Sequence, residues 1–233
     1  MISNRKPLYR LVLVCVLLAT ACASEEPANS TDVVPAETGT RAESKVDRAR
    51  ILMLGDSITA GYGLDPAQAF PARLQALIDS AGYDYEVVAA GLSGETTAGG
   101  RRRVEWLLRN EADILLIELG GNDGLRGVDP ESVRENLTAI ITTARARNSD
   151  MTIILGGMRM PMNMGGAYRE RFESVYPEVA AANDVVLIPH ILEGVGGIQE
   201  LNQPDGIHPT ADGHEIIART VWATLEPILK RGA

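Results

Sequence analysis

From residue 50 onward the chain alternates short apolar runs with longer segments in which apolar residues return every third or fourth position. Ile51-Leu52-Met53-Leu54, Tyr85 to Ala89, Asp113 to Leu119, Thr152 to Leu155 and Val185 to Ile188 have the length and composition of strands buried on both faces. Between them, Ala67 to Ser80 places Phe70, Leu74, Leu77 and Ile78 at helical spacing, and Ala98 to Arg109, Pro130 to Arg147, Ala167 to Ala182 and Thr210 to Leu229 also read as helices. Asp129 before Pro130 is a helix-start signal, and Pro227 bends or ends the last helix. Strands alternating with helices predict an α/β domain, a parallel sheet with helices on both faces in three layers.

The N-terminal segment has a different character. Arg5, Lys6 and Arg10 precede the apolar stretch Leu11 to Leu18, which runs into Ala19-Thr20-Ala21-Cys22. This pattern predicts an export signal over residues 1–21, since its apolar core is well short of the roughly 20 residues a spanning helix needs. Cys22 after small residues resembles the lipobox of bacterial lipoproteins, with Ala19 where that motif usually has Leu. Lipidation of Cys22 is therefore expected, and ordinary cleavage after Ala21 or Ala23 is the alternative. Residues 22–48 are rich in Glu, Pro, Ser, Thr and Ala with few large apolar residues, which predicts a flexible tether ahead of a folded domain over 49–233. The expected location is the periplasmic side of the cell envelope, with the lipid anchor as the membrane contact.

With 45% hydrophobic residues and no second composition regime after residue 50, the chain is expected to form one well-buried domain. A formal charge of −9 argues against a nucleic-acid partner, whose phosphates require a basic surface. The one basic run, Arg101-Arg102-Arg103, reads as a solvated helix face. Cys15, the only other cysteine, lies within the signal, so the domain is expected to hold together without a disulfide.

Four short segments carry candidate chemistry: Gly55-Asp56-Ser57, Gly94, Gly120-Gly121-Asn122-Asp123 and Asp205-Gly206-Ile207-His208. The first and third each follow an apolar run directly, which puts Ser57 and Asn122 at the carboxyl ends of strands, where open α/β sheets bind ligands. A serine hydroxyl needs an adjacent base, and the base needs a group that fixes its tautomer. Of His190, His208 and His214, only His208 has a carboxylate, Asp205, three residues earlier across a Gly-containing turn. His214 falls inside the last helix and His190 follows Pro189 at a strand end, which suits surface or capping roles. Backbone N–H groups beside Gly94, the Ser57 N–H and the Asn122 amide are candidate donors to an oxyanion.

GDSITAGYG, SGETT, ELGGNDGLRG and DGIHPT resemble the SGNH or GDSL hydrolases, and within them the branch of bacterial arylesterases, lysophospholipases and acyl-CoA thioesterases. The resemblance runs over nearly all of residues 51–229. It implies a flavodoxin-like sheet of order 2-1-3-4-5, a Ser57-His208-Asp205 triad, an oxyanion hole from Ser57, Gly94 and Asn122, and neither cofactor nor metal. Ile58 stands where the GDSL name has Leu. In the family the region after the fourth strand helps line the acyl site, and here it reads Met158-Arg159-Met160-Pro161-Met162-Asn163-Met164. Met158, Met160 and Met162 are accordingly expected to form an adaptable wall for a lipid chain, with packing on the core as the alternative.

Other readings fit less well. Gly91-Leu92-Ser93-Gly94-Glu95 fails the last position of the α/β-hydrolase elbow. Gly61-Tyr62-Gly63-Leu64-Asp65-Pro66 lacks the third glycine of a dinucleotide fingerprint, and there is no Walker motif. A carbohydrate O-acetylesterase of the same fold and a non-catalytic ligand-binding lipoprotein remain as alternatives to a serine esterase acting on aryl or acyl esters, acyl-CoA thioesters or lysophospholipids.

Overall fold

The computed structural model describes residues 48–231. The expected export signal, Cys22 and the tether up to residue 47 lie outside the described residues. Arg48, assigned by sequence to the end of the tether, is already ion-paired with Asp79 at 2.6 Å and Asp84 at 3.0 Å.

Five parallel strands form the sheet: β1 (Ala49–Gly55), β2 (Tyr85–Gly91), β3 (Ile114–Glu118), β4 (Thr152–Gly156) and β5 (Val186–Ile188), in the order β2-β1-β3-β4-β5. Every residue of β3 is buried, as its unbroken apolar run requires of a strand covered on both faces. The helices are α1 (Ser57–Ala60), α2 (Phe70–Ser80), α3 (Thr97–Leu107), α4 (Gly121–Leu125), α5 (Pro130–Arg147), α6 (Gly166–Asn183) and α7 (Ala211–Leu225). α2 packs on α7, and α5 packs on both α3 and α6, so the long helices fall into two packed groups. Apolar side chains from both, such as Phe70 and Leu74 of α2 and Ile140, Phe172 and Val175 of α5 and α6, join the strands in one core.

The long elements fall where the periodicity predicts, with two differences. Asp129 caps α5 by accepting from the Glu131 N–H at 3.3 Å, as the Asp-Pro signal implies. The last helix stops at Leu225, and Pro227 lies in a separate 3₁₀ turn, Glu226–Ile228. The helices α1 and α4 were not expected, because segments this short carry no full hydrophobic period.

The sheet order sets up the site. β1 is flanked by β2 on one side and β3 on the other, so the connections leaving the carboxyl ends of β1 and β3 diverge and open a crevice. In this register Gly55 is paired with Glu118, which brings Gly55-Asp56-Ser57 beside Gly120-Gly121-Asn122-Asp123.

Candidate active site

Ser57 is the first residue of α1, immediately beyond β1. Asp56 caps that turn, its carboxylate accepting from the Ile58 N–H at 2.9 Å. As a first-turn residue Ser57 has no carbonyl within its helix for its own N–H, which is left available. Its Oγ lies 3.0 Å from His208 Nε2. On the other side of the ring, His208 Nδ1 is 2.6 Å from Asp205 Oδ2.

The short Asp205-to-His208 turn is self-organised. Asp205 Oδ1 accepts from the N–H groups of Ile207 at 2.9 Å and His208 at 3.0 Å, while Gly206 supplies a left-handed φ of 69°. Hydrogen bonds from the His208 side chain first, and then from these two backbone donors, hold the Asp205 carboxyl down at about 2. It therefore stays a carboxylate and accepts from Nδ1–H, which leaves the Nε2 lone pair facing the Ser57 hydroxyl. The Tyr62 ring lies against the imidazole with centroids 4.4 Å apart.

Two further backbones approach from β2 and β3. Gly94 takes φ 79° in the loop between β2 and α3, and its carbonyl accepts from both terminal nitrogens of Arg126, at 3.3 Å each. Asn122 sits in the first turn of α4, behind Gly120 at φ 118°, where the Tyr176 hydroxyl occupies the space a Cβ would need. Asn122 Nδ2 donates to Asp56 Oδ2 at 3.0 Å, leaving its second amide hydrogen for another acceptor.

Residues 53–216, more than half of the chain, match the GDSL-like lipase/acylhydrolase family. The chain belongs to that family and is a serine ester hydrolase. It is 46% identical over 180 residues to "Esterase TesA" of Pseudomonas aeruginosa, covering 77% of this chain and 89% of that protein. It is 37% identical over 180 residues to "Thioesterase 1/protease 1/lysophospholipase L1" of Escherichia coli, covering 77% and 84%. A crystal structure of TesA superposes with a TM-score of 0.74 at 45% identity, over 77% of this chain and 99% of that one.

Around the motif residues of this GDSL-family chain lies a layer of polar ties that sequence reasoning missed. Asp123 accepts from the Thr97 N–H at 2.8 Å and the Thr97 hydroxyl at 2.6 Å, which fastens α4 to the start of α3. Arg103 is not part of a solvated face, although Arg101 and Arg102 are exposed. It pairs with the buried Glu95 and donates to the carbonyls of Gly55 at 3.0 Å and Ala90 at 2.7 Å, which ties the Gly94 loop to the ends of β1 and β2. Glu118 accepts from Asp56 and Thr59. A charged residue closing an apolar strand was the only local signal for it. Burial drives the Asp56 carboxyl up to about 6, and burial with the neighbouring Asp56 charge drives Glu118 well above the carboxylate range.

The three methionines expected along the acyl site are split. Met158 and Met160 are buried in the hydrophobic core, Met160 filling the space beside Gly124, and Met162 is 81% exposed. They do not form one exposed wall, because β4 runs on into the core before the loop turns outward. His214 is buried, not on the surface, and its Nδ1 accepts from the Phe70 N–H at 3.1 Å, capping α2 from another helix. His190, whose buried Nδ1 has no hydrogen-bond partner among the described residues, stands apart from Ser57's hydrogen-bonding partners. Among the described residues no three or more His, Cys, Asp or Glu side chains gather as a metal site.

Proposed function

We propose that the protein hydrolyses medium- and long-chain acyl esters and thioesters through an acyl-enzyme on Ser57. The observation that carries this reading is the continuous relay Asp205–His208–Ser57, with hydrogen-bond lengths of 2.6 and 3.0 Å. In the first half-reaction His208 Nε2 takes the hydroxyl proton as Ser57 Oγ bonds to the ester carbonyl carbon. The carbonyl oxygen becomes an anion that accepts from the Ser57 N–H, the Gly94 N–H and the free Asn122 amide hydrogen. Collapse of the tetrahedral intermediate breaks the bond to the leaving alcohol or thiol, which takes the proton from His208. Water then attacks the acyl-enzyme with His208 as base, and the acid and free Ser57 are released.

Lipid-like acyl chains are favoured by the names of the relatives and by exposed apolar side chains next to the site residues. Tyr62 lies on His208, Ile207 precedes it, and Leu92 and Leu125 flank Gly94 and Asn122 in sequence. Each methylene buried there adds about 0.8 kcal/mol to binding. The test is one kcat/KM panel of p-nitrophenyl esters of rising chain length, acyl-CoA, lysophospholipid and acetylated xylose, run beside fluorophosphonate labelling of Ser57. Rising kcat/KM from acetyl to octanoyl is expected. Preference for acetyl esters would move the protein to the carbohydrate acetylesterases, and no labelling would reject Ser57 as the nucleophile.

The location proposed is the periplasmic side of the cell envelope, with the domain tethered through a lipidated Cys22. Several acyl chains on one N-terminus give the stable attachment that a single chain does not. Mass spectrometry of the mature N-terminus from the native host checks this, and an unmodified start at Cys22 or Ser24 rejects the anchor.

A further inference from the structure

The last residue of the fully buried strand β3 is a carboxylic acid that the proposed mechanism does not use. Glu118 is 0% exposed and faces Gly55 in the β1–β3 register. Its Oε2 accepts three hydrogen bonds from the turn that carries Ser57: the Asp56 N–H at 3.2 Å, the Thr59 N–H at 3.2 Å and the Thr59 hydroxyl at 2.7 Å. These donors bracket Ser57 in sequence. The approach depends on Gly55 having no side chain, since a Cβ there would stand 2.6 Å from Glu118 Oε2.

The other oxygen is different. Glu118 Oε1 is buried and has no partner among the described residues. An ionised Glu118 would thus leave one bare carboxylate oxygen in an apolar interior, next to the carboxylate of Asp56. Arg103, which donates to the Gly55 carbonyl, makes no hydrogen bond to Glu118, because its side chain is committed to Glu95 and to the carbonyls of Gly55 and Ala90. Asp56 is the better place for a single negative charge. Its oxygens accept from the Ile58 N–H and from Asn122 Nδ2, and a protonated His208 would favour the anion.

We propose that Glu118 is a positioning residue, a neutral carboxylic acid that fixes the nucleophile turn from behind and leaves the negative charge of the pair on Asp56, where it orients the Asn122 amide. This rests on Ser57 being the nucleophile. The titration directions agree with the geometry, with Glu118 pushed well above the carboxylate range and Asp56 raised only to about 6. The other titratable groups acting on the pair are Asp123, Tyr176 and His208, none of which hydrogen-bonds to Glu118. A neutral Glu118 also keeps a second negative charge away from the site where the oxyanion forms.

The test compares Glu118→Gln and Glu118→Leu in the full chain, with fluorophosphonate labelling of the parent run first so that failure of the esterase reading is seen separately. Gln is uncharged, nearly isosteric and offers the same acceptor, so it is expected to keep most of the parent kcat and the parent pH profile. Leu removes the acceptor, and kcat is expected to fall about a hundredfold, as for a displacement of about 1 Å at a reacting group, with KM little changed. At neutral pH the parent should show the infrared carbonyl band of a protonated, buried carboxylic acid, and Glu118→Gln should lack it. If Gln loses as much activity as Leu, or shifts the acid limb of the profile, Glu118 works as an anion and the proposal fails. If Leu keeps kcat, the positioning role fails. Should Leu not fold, Thr59→Val removes one of the three donors: a drop in kcat at constant KM supports the proposal, and an unchanged kcat overturns it.

Discussion

In the proposed mechanism Asn122 divides its amide between two tasks: one hydrogen is held by Asp56 at 3.0 Å, which fixes the plane of the group, and the other is left for the oxyanion. That division predicts a specific kinetic signature. Asn122→Ala should lower kcat by roughly 10²- to 10³-fold with KM little changed, because the lost donor binds the oxyanion more strongly than the ground-state carbonyl. Fluorophosphonate should still label Ser57, more slowly. A mutant that loses thermal stability but keeps kcat per folded molecule would take Asn122 out of the oxyanion hole. Ser57→Ala and His208→Ala should each nearly abolish turnover, and an active His208→Ala enzyme would reject the base assignment. These residues were legible in the chain because Gly-rich turns after apolar runs and an Asp three residues before a His are local patterns. The partners Asp56 and Glu118 were not. Their importance comes from which strand lies beside which, and in sequence they are ordinary acids at a strand end.

At the level of elements, the site is assembled from four strand-to-helix connections, those after β1, β2, β3 and β5, and the ties between them matter more than propensity within them. α4 is only five residues long, too short to be stable by its own hydrogen bonds. Its position depends on Asp123, whose carboxylate takes both the N–H and the hydroxyl of Thr97 at the start of α3. Asp123→Ala leaves the buried Thr97 donors unpaired and should cost on the order of 1–3 kcal/mol of stability, read as a lower midpoint in urea. It should also lower kcat, since both Gly94 and Asn122 lie on segments that this tie connects. An unchanged kcat in the folded mutant would show that the oxyanion donors are held by other contacts, such as Arg126 on the Gly94 carbonyl. The long helices α2, α5, α6 and α7 were predicted within a few residues of their observed bounds because each buries apolar side chains at helical spacing. Short α1 and α4 escaped for lack of a full apolar period.

For the molecule as a whole, a buried histidine and two buried carboxyls give opposite pH dependences. His214 is 1% exposed, accepts from Phe70 N–H and lies parallel to the Phe70 ring. Burial, with the His208 charge second, lowers it from the ordinary 6.5 to about 4. Its neutral form is the one the fold accommodates, so its contribution is complete above about 6.5 and is lost as pH falls toward about 4. The full loss is on the order of 3 kcal/mol. Asp56 and Glu118 act in the other direction, because a raised folded-state pKa adds stability as pH drops. The net slope is therefore not diagnostic, and the comparison with His214→Asn, which keeps an acceptor for Phe70, isolates the histidine. Between pH 7 and 4 the parent Tm should fall relative to that of His214→Asn, with kcat at neutral pH unchanged. Parallel curves would show that His214 is not the group that titrates.

By itself the sequence determined what depends on neighbours along the chain: the alternation of strand and helix, the turns that carry Ser57, Gly94, Asn122 and His208, and the Asp205 turn that grips its histidine. Only the tertiary structure decided which polar groups leave water. The adjacency of β1 and β3 puts Glu118 beneath Gly55, the packing of α3 against the ends of β1 and β2 draws Arg103 inward, and the path of the loop after β4 sends Met158 and Met160 into the core while Met162 stays outside. For these side chains burial is set by what packs from elsewhere in the chain, and local composition carries no record of it.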